Sequence, residues 1–313
     1  MKISSLFLSP LSALGPLCVR RLPRPSRGVK FFSSASRAVV LILLALFIAT
    51  AAPAPQGHVP RYYLGFDRNI YPGDDALPTL RKTFSFASYW LSPPPGEKTN
   101  TWSGKRELLR KHGFGFVVLF RGREEKHLKN VDDAAAKGEF DARATVEAAQ
   151  HEGFSPQTII YLDIEEGGRL FPAYHSYLRG WLRTLTANDY QGGFYCSGMP
   201  VREDAHTTIT TADDIISDVY FKSRTFSIWA YNDACPPSPG CAFAENPPAP
   251  SASGINGATV WQFAQSPRRK EFTAQCPANY APDGNCYAPS DMAHTWFLDV
   301  NSATSPDPSA GAK

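Results

Sequence analysis

Acidic side chains close three apolar runs of this chain: Gly65-Phe66-Asp67, Tyr161-Leu162-Asp163-Ile164-Glu165-Glu166 and Phe297-Leu298-Asp299-Val300-Asn301. A fourth run, Val260-Trp261-Gln262-Phe263, carries an amide instead. The second is the most informative. Thr158 to Leu162 reads as a buried strand, because it is β-branched and apolar and is bounded by Pro156 and Gly167. Alternation along a strand puts Asp163 and Glu165 on one face, Ile164 on the other, and Glu166 away from the pair as a solvated or helix-contacting acid. Two carboxylates side by side on a buried strand cost free energy unless they are used. Crowded acids push their pKa values apart, so that one stays protonated near neutral pH. Cleavage of a glycosidic bond needs that pairing: a protonated carboxyl for the leaving oxygen and an ionised one for the positive sugar or the attacking water.

Other chemistries find less support. The chain has 313 residues and a formal net charge of +3. Met1 to Phe66 holds eight Lys or Arg and no Asp or Glu, so the remainder carries 24 basic against 29 acidic residues, a net of −5. That body has no basic bias toward nucleic acid. Its His residues are scattered without His-Glu-x-x-His spacing, no Cys-x-x-Cys occurs, and there is neither a Gly-rich phosphate loop nor a Gly-x-Ser-x-Gly elbow. No metal and no cofactor is expected. A carboxylate-held metal for phosphodiester hydrolysis is a weaker reading, since the His partners it wants near the first strands are missing.

Ala38 to Ala52 is an unbroken apolar run preceded by Arg37 and ending at Ala49-Thr50-Ala51. It is short for a membrane span and fits a secretory signal peptide with a long basic region ahead of it. Residues 1–52 are therefore expected to be removed on export and 53–61 to be a linker; a membrane association would come only from an uncleaved N-terminus. The protein is expected outside the cytoplasm, either secreted or at the periplasm and cell wall. Export permits disulfides. The expected local pairs are Cys235–Cys241 and Cys276–Cys286, with Cys196 left as a buried structural thiol rather than a nucleophile.

The body alternates strand and helix. Strands are expected at 62–67, 84–90, 116–120, 158–165, 193–197, 226–231, 259–264 and 295–300. Helices are expected near 76–82, 103–112 and 132–151, after Pro172, and from a Thr211–Asp214 capping box. Helices are missing after the later strands. Eight strands and about five helices over residues 62–302 predict one α/β domain, an irregular TIM-type (β/α) barrel with a parallel sheet that is open or hairpin-like on one side. The tail 303–313, with Pro306 and Pro308, reads as disordered. A monomer is expected.

Taken in order, Gly-Phe-Asp at 65–67, Asp-x-Glu at 163–165, Gly-Phe-Tyr at 193–195, Trp-Gln at 261–262 and Leu-Asp-Val-Asn at 298–301 resemble glycoside hydrolase family 25, the lysozyme-type muramidases. Tyr71-Pro72 and Trp229-Ala230-Tyr231 are closer in style to a related glycoside-hydrolase-like family of exported bacterial proteins. Arg68-Asn69 depart from family 25, where a small residue usually follows the first Asp. The resemblance implies catalysis by Asp67, Asp163, Glu165 and Asp299 at the C-terminal strand ends. Glu165 would be the acid, Asp163 the group that stabilises charge or orients an acetamido group, and Asp67 and Asp299 would tune and position. Tyr195, Trp229 and Trp261 would stack on sugars and Gln262 would bind a hydroxyl, though both Trp residues equally suit barrel packing. Arg121, at a strand end in a charged loop, is placed to meet an anionic sugar. The implied substrate is a wall polysaccharide such as peptidoglycan. A non-catalytic, glycan-binding barrel remains the alternative.

Overall fold

The computed structural model describes residues 62–232, 247–264 and 298–313, all within one unit of the chain, Val59–Lys313. The expected signal peptide, linker and Cys pairs lie outside the described residues. Ten strands occur among them: β1 (Tyr63–Asp67), β2 (Phe86–Trp90), β3 (Gly115–Arg121), β4 (Ile159–Asp163), β5 (Gln191–Ser197), β6 (Val201–Arg202), β7 (Thr208–Ile209), β8 (Ser227–Tyr231), β9 (Ala258–Ala264) and β10 (Asp299–Ala303). The helices are α1 (Leu77–Leu80), α2 (Arg106–Lys111), α3 (Val131–His151), α4 (Pro172–Ala187), α5 (Thr211–Ser217) and α6 (Val219–Lys222).

Eight strands close a barrel in the order β1-β10-β9-β8-β5-β4-β3-β2, while β6 and β7 form a separate hairpin. Neighbours pair in parallel from β1 through β2, β3, β4, β5 and β8 to β9. β10 runs against both β9 and β1. The fold is thus the expected α/β barrel with one reversed strand. The reversal decides where the acids go. In a parallel strand the C-terminal residue reaches the upper rim; in β10 the first residue does, and Asp299 pairs with Asp67 at the end of β1.

The last strand differs from its expected bounds, starting at Asp299 and continuing to Ala303. β4 stops at Asp163, two residues early, so alternation lapses before Glu166. The cap of α5 is Thr210, one residue ahead of the expected box, and its side chain accepts from the Asp213 N–H.

The long helices α3 and α4 pack closely because small residues meet at the crossing. A Cβ on Gly138 would lie 2.1 Å from the Tyr177 carbonyl oxygen, and one on Gly180 would lie 2.4 Å from that of Ala135. Pro172 supplies the first turn of α4, as its fixed φ favours. Buried Asp141 of α3 is satisfied by a bidentate Arg123, at 2.7 Å on each oxygen, and by the Tyr177 hydroxyl at 3.0 Å. This network holds the β3–α3 loop, residues 122–130, against the helix pair at the upper rim.

The tail after Ala303 is ordered, contrary to expectation. β4 begins beyond the level at which β3 begins, leaving backbone groups of β3 without a partner strand. The tail fills that gap: Ser309 N–H donates to the Phe116 carbonyl at 2.8 Å and Ile159 N–H to the Ser309 carbonyl at 2.9 Å. The Ser309 hydroxyl accepts from Val118 N–H and the Asp307 carboxylate from Phe116 N–H, each at 2.9 Å.

Candidate active site

Asp67 ends β1, Asp163 ends β4 and Asp299 begins β10, which brings them to one rim, with Glu165 two residues beyond Asp163. Tyr195 of β5 pairs with Asp163 in register. All four carboxylates act on the Tyr195 hydroxyl: after burial, the charges of Asp67, Asp163, Glu165 and Asp299 push its pKa well above the ordinary value. The acids distant in sequence therefore lie within electrostatic reach of one side chain.

Inside this rim the polar groups form a chain. Trp229 donates from Nε1 to Asn301 Oδ1 at 2.8 Å, and Asn301 Nδ2 donates to Asp67 Oδ2 at 2.6 Å. Tyr195 donates to Gln262 Oε1 at 3.0 Å, and Gln262 Nε2 donates to the two Asp67 oxygens at 3.1 and 2.9 Å. Two amides thus hold the carboxylate of Asp67. Burial nevertheless raises its pKa to about 6; the Asn301 and Gln262 amides oppose this and the Glu165 charge adds to it.

Asp163 is 3% exposed, and its Oδ2 has no hydrogen-bond partner. Burial first, then repulsion from Glu165 and Asp67, lifts its pKa well above the ordinary carboxylate range, against the pull of Arg121. Glu165 is exposed at the mouth. Its pKa is also raised, by burial of its inner side and by Glu166, against Asp163 as a hydrogen-bond partner and Arg121. Asp163 and Glu165 titrate as a pair that retains a proton at a pH where an ordinary carboxylate has lost it.

The pair opens onto a cavity of about 270 Å³ lined by Pro95, Arg121, Gly122, Arg123, Glu124, Asp163, Glu165 and Glu166. Gly122 lets the β3–α3 loop lie against β4: its N–H donates to the Asp163 carbonyl at 3.0 Å, and a Cβ there would sit 2.3 Å from that oxygen. Glu166 lines this same cavity instead of facing away. Its Oε1 accepts from Glu125 N–H at 2.6 Å, which ties the loop to the segment after β4.

The rings do not serve as expected. Trp229 is fully buried and edge-on to Tyr195, with centroids 4.8 Å apart. Trp261 is 5% exposed and donates from Nε1 to the Asn232 carbonyl. Gln262 is 1% exposed and committed to Asp67 and Tyr195. None presents a free face to a sugar: Trp229 and Gln262 point inward and fill the barrel, while Trp261, next to Gln262 on β9, lies on the opposite face, packed against Phe263. Of the four expected binding residues only Tyr195 lies half-buried at the rim. Sequence reasoning passed over Asn301 as a site residue, although the two-residue step from Asp299 signalled that the pair shares a face of the strand. Cys196 is buried and its thiol pKa is pushed up by burial, as a structural thiol requires. Among the described residues no group of three or more His, Cys, Asp or Glu could hold a metal ion.

An uncharacterized protein of B. stearothermophilus is similar at 19% identity over 77% of this chain and 95% of that one, with a TM-score of 0.48. The Tat-secreted protein Rv2525c of Mycobacterium tuberculosis, solved in complex with L-tartrate, is similar at 15% identity over 79% and 97%, with a TM-score of 0.46. The modular autolysin LytC of Streptococcus pneumoniae, solved with a synthetic peptidoglycan ligand, is similar at 13% identity over 78% and 47%, with a TM-score of 0.42. No curated protein matches the chain. Residues 94–239 match the family model described as the Rv2525c-like, glycoside hydrolase-like domain.

Proposed function

We propose that this protein is an exported glycoside hydrolase that cleaves a cell-wall glycan such as peptidoglycan by carboxylate acid/base chemistry. The observation that carries the reading is that Asp67, Asp163 and Asp299 stand at one rim, with Asp163 and Glu165 opening onto a cavity there. The glycoside hydrolase-like domain over residues 94–239 supports the reaction class.

In this reading Glu165, the member of the pair at the mouth, passes the proton to the leaving glycosidic oxygen. That leaves Asp163 and Glu165 both ionised beside the positive charge developing on the sugar, which they stabilise; water then adds to that carbon and its proton returns to the pair, restoring the starting state. Asp67 is a positioning residue: held by Gln262 and Asn301, it keeps the proton on the pair by repulsion. Asp299 adds charge at the same rim.

Release of reducing ends from purified peptidoglycan tests the reaction. The wild type is expected to release them and Glu165→Gln is not. Co-sedimentation with the wall by both proteins, without release by either, would instead leave a glycan-binding barrel that does not cleave.

A further inference from the structure

The two arginines of the carboxylate cavity have opposite commitments. Arg123 is spent on Asp141, to which it donates from Nε and Nη2 at 2.7 Å each. Arg121 ends β3 in register with Asp163 on β4, so both side chains leave the same face of the sheet. Its backbone N–H donates to Ser92 Oγ, which fixes its place at the strand end. Among the described residues its guanidinium has only a long ion pair, 3.7 Å from Nη2 to Glu124, and Glu124 is also held by Lys126 Nζ at 2.5 Å. On the same wall, buried Asp163 Oδ2 has no hydrogen-bond partner.

A cation in this place works against the proposed chemistry. Arg121 lowers the pKa of both Asp163 and Glu165, against the proton that the pair must keep. It also repels the positive charge that develops on the sugar. Packing does not account for it, since its side chain is 39% exposed and lines the cavity. A carboxylate on the ligand removes the conflict. The guanidinium fork matches a carboxylate in two parallel hydrogen bonds, and once paired it no longer draws the proton from the acids. A neutral glycan leaves that cost in place, which disfavours it. Glu124, Asp163, Glu165 and Glu166 line the same cavity and repel a doubly charged group more than a singly charged one.

We propose that Arg121 selects the substrate by pairing with a free carboxylate on the sugar at the cleavage site, so that the cavity takes acidic glycans and disfavours neutral ones. The proposal rests on the hydrolase reading above and narrows its substrate class. Two polymers carry such a group: a peptidoglycan strand stripped of its peptides, through the lactyl ether, and a polysaccharide containing uronate.

The test gives these two polymers to the full chain, each beside a copy whose carboxylates are converted to methylamides. The wild type is expected to cleave one of the acids with kcat/KM about tenfold or more above its methylamide, and the one cleaved identifies the source of the carboxylate. Arg121→Gln should lower kcat/KM on that acid about tenfold, equivalent to about 1.4 kcal/mol, and leave the methylamide level or higher. A merely structural role would lower both together. Arg121→Lys, which keeps the charge without the fork, should restore part of the preference. Lys129→Gln removes the same charge from an exposed position outside the cavity and should change neither rate. In the wild type the alkaline limb of kcat should lie higher on the acid than on the methylamide, because the bound carboxylate cancels the pull of Arg121 on the pair. Equal rates on acid and methylamide, a preference that survives Arg121→Gln, or cleavage confined to whole peptidoglycan overturns the role of Arg121 and leaves the hydrolase reading intact. No cleavage of these polymers or of whole peptidoglycan by the wild type refutes both.

Discussion

The two ends of this barrel treat buried polar groups in opposite ways. At the base, the tail supplies partners for backbone groups of β3 and β4. Asp307 accepts from the N–H groups of Phe116, Gly311 and Ala312, Ser309 bonds both β3 and β4, and Arg106 Nη2 donates to the carbonyls of Gly311 and Lys313 at 2.7 and 2.9 Å. Arg106 Nε is one exception, its guanidinium lying over the Phe154 ring, and Ser302 Oγ near the base end of β10 is another. At the mouth, Asp163 Oδ2 and Glu166 Oε2 are buried without partners and three carboxyls have raised pKa values. The base is arranged for stability. The mouth holds like charges together at a cost, which is the signature of a site selected for chemistry.

That contrast can be broken most sharply at Glu165. Glu165→Gln should lower release of reducing ends by about 10²–10⁴-fold, the range for loss of a general acid, while the melting temperature stays level or rises. A large fall in stability would place Glu165 with the structural groups. The converse experiment is at the base. Asp307→Ala strands three backbone N–H groups and should cost about 3 kcal/mol in denaturant unfolding, while the folded fraction retains its turnover.

A smaller effect follows from Asp67, whose folded pKa of about 6 exceeds its ordinary 3.8. The folded state holds that proton more tightly than the unfolded chain does. Its contribution therefore favours folding fully below about pH 4 and is lost as pH rises through 6. Asp67→Asn has no proton to lose, so its stability should gain on the wild type across that window, by on the order of 2 kcal/mol. Melting temperatures at both ends of the window measure it. The smallest effect is a pair of opposite shifts in the alkaline limb of activity. Asp67 raises the pKa of Asp163 and Arg121 lowers it. Asp67→Asn should move the limb down and Arg121→Gln should move it up, each by less than about one pH unit.

Much of the mouth was legible in the chain because strands announce themselves by composition and the acids stand at their ends. The barrel and the order of its strands followed. The reversal of β10 did not, since a two-residue alternation reads the same in either direction and only pairing with β1 and β9 sets the sense. Trp229 and Trp261 stayed open between packing and sugar stacking for a related reason: period two sorts side chains onto two faces without saying which face is filled. Glu166 escaped because β4 ends at Asp163 and the alternation used to place it no longer holds. The tail escaped because Pro306-Asp307-Pro308-Ser309 has the composition of a disordered segment, and its order depends on unpaired groups of β3 almost two hundred residues away.

The central claim is that the mouth keeps a proton where isolated carboxyls would not. Carbon-13 NMR titration of the Asp and Glu side-chain carboxyls measures this directly. The account predicts that the Asp163 carboxyl titrates well above the ordinary carboxylate range and that Asp67 titrates near 6. Titration of Asp67, Asp163 and Glu165 at the ordinary values of 3.8 and 4.5 would contradict it.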